Sequence, residues 1–116
     1  MSLRVVPMLG VFVLATSVSA QVGSVLRRQP IGPGVGGFTG TLGDDSFGAS
    51  VASLGDLNGD GVADLAVGAP TSDDGGPNRG AIWILFLKAD GTVLTQTKIS
   101  QTQGGFTGVL KDGGIF

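Results

Sequence analysis

Between Asp56 and Asp64 the chain reads Asp-Leu-Asn-Gly-Asp-Gly-Val-Ala-Asp, which places oxygen-bearing side chains at the first, third, fifth and ninth positions of one short loop. Such a set suits a hard divalent cation. Calcium takes about six to eight oxygen ligands at roughly 2.3–2.6 Å in a flexible cage. Glycine at the sixth position, Gly61, allows the backbone to turn so that the carbonyl of Val62 can face an ion. The expected ligands are therefore Asp56, Asn58, Asp60, Val62 (through its carbonyl) and Asp64. Three carboxylates crowded into one loop repel each other without a cation, so a bound metal would organise the loop as well as neutralise it. Magnesium demands a tighter octahedron and keeps more of its water, which makes calcium the expected ion.

Plainer readings compete. Asn58-Gly59 and Asp60-Gly61 are ordinary hairpin-turn dipeptides when each is taken singly. The loop also opens like an EF-hand, but that motif needs a bidentate Glu at the twelfth position and helices on either side. Here that position is Val67, and the chain contains no Glu. Four spaced donors argue for metal over plain turns. Of the other acidic groups, Asp44-Asp45, Asp73-Asp74 and Asp112 read as solvated loop residues. Trp83 and Phe86 sit in a run with no polar residue and read as core. With no Cys, no His and no base–nucleophile pair, no catalytic residue is expected and the chain is read as non-enzymatic.

A loop of this kind needs rigid elements at both ends, and the flanking sequence supplies strands. Phe47 to Leu54 is rich in small and apolar residues and closes on Gly55-Asp56; Asp64 to Ala69 ends at Pro70. Ala81 to Leu87 is apolar at every position, which predicts a central strand covered on both faces. Thr92 to Ser100 follows an Ala89-Asp90-Gly91 turn and mixes polar with apolar residues, as an outer strand does. All nine acidic residues are Asp and 22 of the 116 residues are Gly, a composition of strands and tight loops rather than helices. The few basic residues are scattered and the net charge is −2, so nucleic acid is not an expected partner.

Two stretches of the chain repeat each other. Residues 23–44 match the residues 68 positions further on at eleven places, including Gly36-Gly37-Phe38-Thr39-Gly40 against Gly104-Gly105-Phe106-Thr107-Gly108. With one inserted residue, Phe47 matches Phe116. A unit this short cannot bury its own hydrophobic faces, so neighbours must stack. Four antiparallel strands per unit, with two-sided burial, predict a β-propeller blade; a sandwich or solenoid would share the spacing. The expected fold is all-β, one complete blade plus edges, in a chain that reads as a fragment of a longer array.

The first twenty residues are laid out as a secretory signal peptide: Arg4, an apolar run from Val5 to Ala15, and Val18-Ser19-Ala20 before Gln21. The run is short of the roughly 20 residues that span a bilayer, so a membrane anchor is the lesser reading and no span is expected in the mature chain. The expected organisation is signal peptide 1–20, outer strand and linker of a preceding or closing blade 21–46, one repeat 47–100, and linker with the start of a next repeat 101–116.

Phe47-Gly48, the Asp56 to Asp64 loop and Gly68-Ala69-Pro70, in that order and spacing, resemble the FG-GAP repeat of integrin alpha-subunit propellers. The tandem Gly-Gly-Phe-Thr-Gly linkers also look like long FG-GAP arrays of secreted bacterial proteins. The resemblance implies one blade per repeat, a cation loop joining the first two strands, and structural calcium held by Asp56, Asn58, Asp60, Asp64 and the Val62 carbonyl. It further implies a secreted or cell-surface protein that works in adhesion or in binding extracellular protein or glycan, with further FG-GAP repeats, in the same or other chains, as partners. The alternative is a propeller scaffold belonging to a secreted enzyme whose catalytic domain lies elsewhere.

Overall fold

A computed structural model describes residues 24–114 and 116; the expected signal peptide lies outside the described residues. Four strands form one antiparallel sheet in sequence order: β1 Ser50–Gly55, β2 Asp64–Ala69, β3 Ala81–Leu87 and β4 Val93–Ile99. Among the described residues there is no helix. The expected four-stranded antiparallel blade is present, with β3 in the interior and β4 at one edge.

β3 forms because its Ile, Trp, Leu and Phe side chains suit a pleated, buried surface. It pairs Leu65 with Leu85 and Val67 with Trp83 on one side, and Trp83 with Lys98 on the other. The buried face carries Val67, Ala69, Ala81, Trp83, Leu85 and Val93. Only that face is fully covered. Ile82, Ile84 and Phe86 point the other way and are half-buried, and every β1 residue is exposed. The expected burial of both faces is thus half realised, because nothing among the described residues lies across the second face.

The covering layer comes from the linker that precedes the blade. Phe38 is 1% exposed and packs edge-on to Trp83 at 5.0 Å, with Phe47 5.1 Å from Phe38 and 6.5 Å from Trp83. Phe47 lies just before β1 rather than in it. Ser46 at φ 55° and Gly48 at φ 95° turn the chain there, so the strand begins at Ser50 instead of Phe47. Gly40 lets the linker cross the aromatic trio: a Cβ would come within 2.5 Å of both the Phe38 ring and the Trp83 ring. Gly40→Ala is expected to lower stability by about 1–3 kcal/mol through overpacking, read as an earlier urea midpoint. An unchanged midpoint would show that the linker does not lie on Trp83.

The sequence repeat is also a structural repeat. A Cβ on Gly36 would strike the Pro30 carbonyl, and one on Gly104 would strike the Lys98 carbonyl, the residues at the same places in the two copies. Gly36-Gly37 and Gly104-Gly105 all take positive φ, between 66° and 80°. Phe106 and Phe116 repeat the Phe38–Phe47 pair, at 5.2 Å and 43° against 5.1 Å and 45°. The copies differ in what they touch: Phe116 is 37% exposed, with no Trp83 counterpart against the second pair among the described residues. The outer strand expected within residues 21–46 likewise makes no ladder among the described residues. Its counterpart β4 has β3 to pair with, and a strand without a partner leaves its backbone to water.

Candidate metal centre

The loop leaves β1 at Gly55, where φ is 68° and the register with β2 shifts, and it returns at Asp64, the first residue of β2. Gly59 and Gly61 take φ of 78° and 86°, a conformation that costs a residue with a Cβ. The loop therefore doubles back within nine residues and keeps its side-chain oxygens close to its own amides.

Each predicted ligand can be placed. Asp56 accepts from the Asp60 N–H at 3.0 Å through Oδ1 and from the Gly61 N–H at 2.7 Å through Oδ2. Asn58 Oδ1 accepts a second, longer bond from the Asp60 N–H at 3.3 Å, and Asp60 Oδ1 accepts from the Val62 N–H at 2.9 Å. The Gly61 N–H above all, with those of Asp60 and Gly59, holds the exposed Asp56 carboxyl below the usual Asp range despite an opposing desolvation effect. Among the described residues no group of three or more Asp side chains gathers at one metal-holding point.

Asp64 does something that spacing alone could not reveal. It is fully buried, and its two oxygens accept from the Leu57 N–H at 2.9 Å and the Leu87 N–H at 3.0 Å. The register between β3 and β4 shifts at Phe86/Leu87. The ladder is disrupted there, and Asp64 meets the Leu87 amide. One carboxylate thus ties the start of the loop, the start of β2 and the end of β3 together. Asp64→Ala is expected to cost about 2–5 kcal/mol, since it strands two backbone donors, and to do so with or without calcium. Asp60→Ala, which loses one exposed bond, should melt like the parent in chelator. Equal losses for the two variants in chelator would remove the distinction.

Of the acidic residues expected to be solvated, Asp44, Asp73 and Asp112 are exposed, whereas Asp45 is buried and Asp74 half-buried. Asp74 accepts from the Ser100 hydroxyl and from Gln103 Nε2, and lies 3.4 Å from Lys98 Nζ. The Ser100 bond, ahead of the lysine charge, keeps its carboxyl below the usual range, and burial works against it. Asp112 pairs with Arg79 at 2.7 Å, joining the second linker to the β2–β3 connection. These contacts join residues from 24 to 33 positions apart, so spacing within a short stretch does not show them.

A blade whose first two strands are joined by an Asp/Asn-rich loop, entered from Phe47-Gly48 and followed by Gly68-Ala69-Pro70, is what comparison with known families returns: residues 47–85 match the FG-GAP repeat. The chain carries an FG-GAP repeat. The matched segment contains β1, the candidate loop, β2 and most of β3. Integrin alpha-5 of Xenopus laevis is 42% identical over 59 residues, 51% of this chain and 5% of that protein. Integrin alpha-X of Mus musculus is 53% identical over 38 residues, 33% and 3% respectively. Integrin alpha pat-2 of Caenorhabditis briggsae is 39% identical over 89 residues, 72% and 7%. The chain thus spans less than a tenth of the length of these relatives. No solved structure matches it significantly.

Proposed function

We propose that this FG-GAP repeat is a calcium-stabilised, non-enzymatic blade of an exported propeller that works in adhesion or in binding extracellular protein or glycan. The observation that carries the reading is the loop itself: four hard-oxygen side chains within nine residues, pinned at one end by buried Asp64 and folded back at the other through Asp56. Asp56, Asn58, Asp60, Asp64 and the Val62 carbonyl would hold the ion. An ion binding there would replace loop amides as the partners of Asp56 and Asp60, trading several weak bonds for a cation between like charges. The metal's work is structural, holding β1 and β2 at a fixed spacing; it takes no part in a reaction.

Export and adhesion are supported by the leader-like first twenty residues and by the integrin relatives. Stacking with further blades is supported by the open Phe106–Phe116 pair and by the half-buried face of Ile82, Ile84 and Phe86. Equilibrium dialysis of the full chain against radioactive calcium tests the metal. Saturation at one ion per chain with a dissociation constant near 10⁻⁴ to 10⁻³ M, the range of extracellular modules, supports it; no saturable uptake, or uptake unchanged by Asp56→Ala, overturns it.

A further inference from the structure

Asn58 is followed by Gly59, and the chain's one other asparagine, Asn78, is followed by Arg79. Asn58 is exposed. Gly59 has no side chain to shield its backbone nitrogen, whose N–H faces the exposed Asp56 carboxylate, and even a Cβ there would meet nothing within 4 Å. The Asn58 side-chain carbonyl accepts the Asp60 N–H at 3.3 Å, which draws electron density from Cγ and makes that carbon a better electrophile. At Asn78 the neighbouring nitrogen belongs to a residue whose side chain is tied to Asp112, and the Asn78 backbone N–H donates to Asp73 Oδ1 at 2.8 Å.

We propose that Asn58 is a self-modification site, at which the loop converts its own amide to an acid. The Gly59 nitrogen gives up its proton to water and attacks Asn58 Cγ. A new C–N bond closes a five-membered imide, the Cγ–Nδ2 bond breaks, and the amide leaves as ammonia after taking up a proton. Water then opens the imide at either carbonyl. Opening at one carbonyl yields a normal aspartyl residue, and opening at the other an isoaspartyl residue whose backbone runs through the former side chain and is one methylene longer. No oxidant, reductant or enzyme enters the balance. Either product adds a negative charge between Asp56 and Asp60, and the isoaspartyl form also displaces the third position of the loop from the fifth. The modification would therefore act as a one-way timer on the loop.

The loop's protection by metal rests on the calcium reading above. An Asn58 oxygen held by an ion is fixed in place, and the loop cannot close the imide without releasing it. With calcium at about ten times its dissociation constant the metal-free loop falls to about a tenth, so conversion slows by about tenfold.

The full chain is held at neutral pH and 37 °C in chelator and, separately, in calcium, and conversion at positions 58 and 78 is followed by peptide mapping with fragment mass spectra. In chelator, Asn58 is expected to convert several-fold faster than Asn78, with isoaspartyl product detected by an isoaspartyl methyltransferase assay. Conversion of Asn58 no faster than Asn78 overturns the proposal. Equal Asn58 rates in the two solutions, with calcium uptake seen in dialysis, overturn the protective role. Equal rates without any uptake count against the calcium reading instead, and the chelator arm still decides the modification. Asn58→Ser, which keeps an oxygen donor but has no amide to lose, is expected to give no product at this position.

Discussion

Calcium at about 100 times its dissociation constant is expected to add about 2.7 kcal/mol of stability to the chain, because an ion that binds the folded loop and not the unfolded chain shifts the equilibrium by mass action. For a domain of this size that raises the melting temperature by on the order of 10 °C. Asp60→Ala is expected to abolish the increase. Its carboxylate bonds only the exposed Val62 N–H in the metal-free loop, so what the variant loses is the ion and little else. The measurement is thermal melting followed by circular dichroism, with the full chain in calcium, in magnesium and in chelator. Magnesium should give the smaller shift, since a loop that folds by hydrogen bonding to its own amides is not a rigid octahedron. Identical melting in calcium and chelator would sink the proposed role of the loop.

Trp83→Ala should be the most damaging single substitution in the buried face. The indole is 5% exposed, sits between Val67 and Lys98 on the sheet, and receives Phe38 and Phe47 from the linker. Truncating a buried aromatic costs about 3–5 kcal/mol, while a core this small seldom supplies more than about that amount. The expected result is loss of the strand signal in the far ultraviolet at room temperature. Trp83→Phe is the control. The indole Nε1 is buried with no hydrogen-bond partner among the described residues, an arrangement that itself costs free energy. Replacing indole by phenyl removes that donor and retains an aromatic surface for Phe38 but leaves a small cavity, so the loss should be well below that of Trp83→Ala. A Trp83→Ala chain that melts with the parent would mean that the linker and sheet do not form one core.

These two outcomes probe different parts of one blade. The aromatic trio holds the linker to the sheet, and the loop holds β1 to β2; Asp64 belongs to both, since it bonds the loop at Leu57 and the strand at Leu87. A chain destabilised at Trp83 should therefore also bind calcium more weakly, because the strand that bonds Asp64 is lost with the core.

The strands, their antiparallel order and the repeat are legible in the sequence because each depends on neighbours a few residues away, or on direct comparison of two stretches. An apolar run such as Ala81 to Leu87 needs burial wherever it lies, and the turn residues on either side limit its length. The donors of the loop are legible for the same reason: spacing within nine residues is a local property. What only the tertiary structure decides is where those groups point and what they meet. Asp64 reads as one more loop ligand, yet it is a buried acceptor for one loop amide, Leu57, and one amide at the end of β3, Leu87. Asp45 and Asp74 read as solvated, yet Asp45 is buried and Ser100 and Lys98 reach Asp74 from distant positions; Asp112 stays exposed while pairing with Arg79. Phe38 and Phe106 sit in matching Gly-Gly-Phe-Thr-Gly segments, but only Phe38 has a Trp83 to pack against, so one is core and the other half open. The physical reason is common to all three: side-chain type and spacing are properties of the chain, whereas burial and pairing depend on which other segment arrives at the same place.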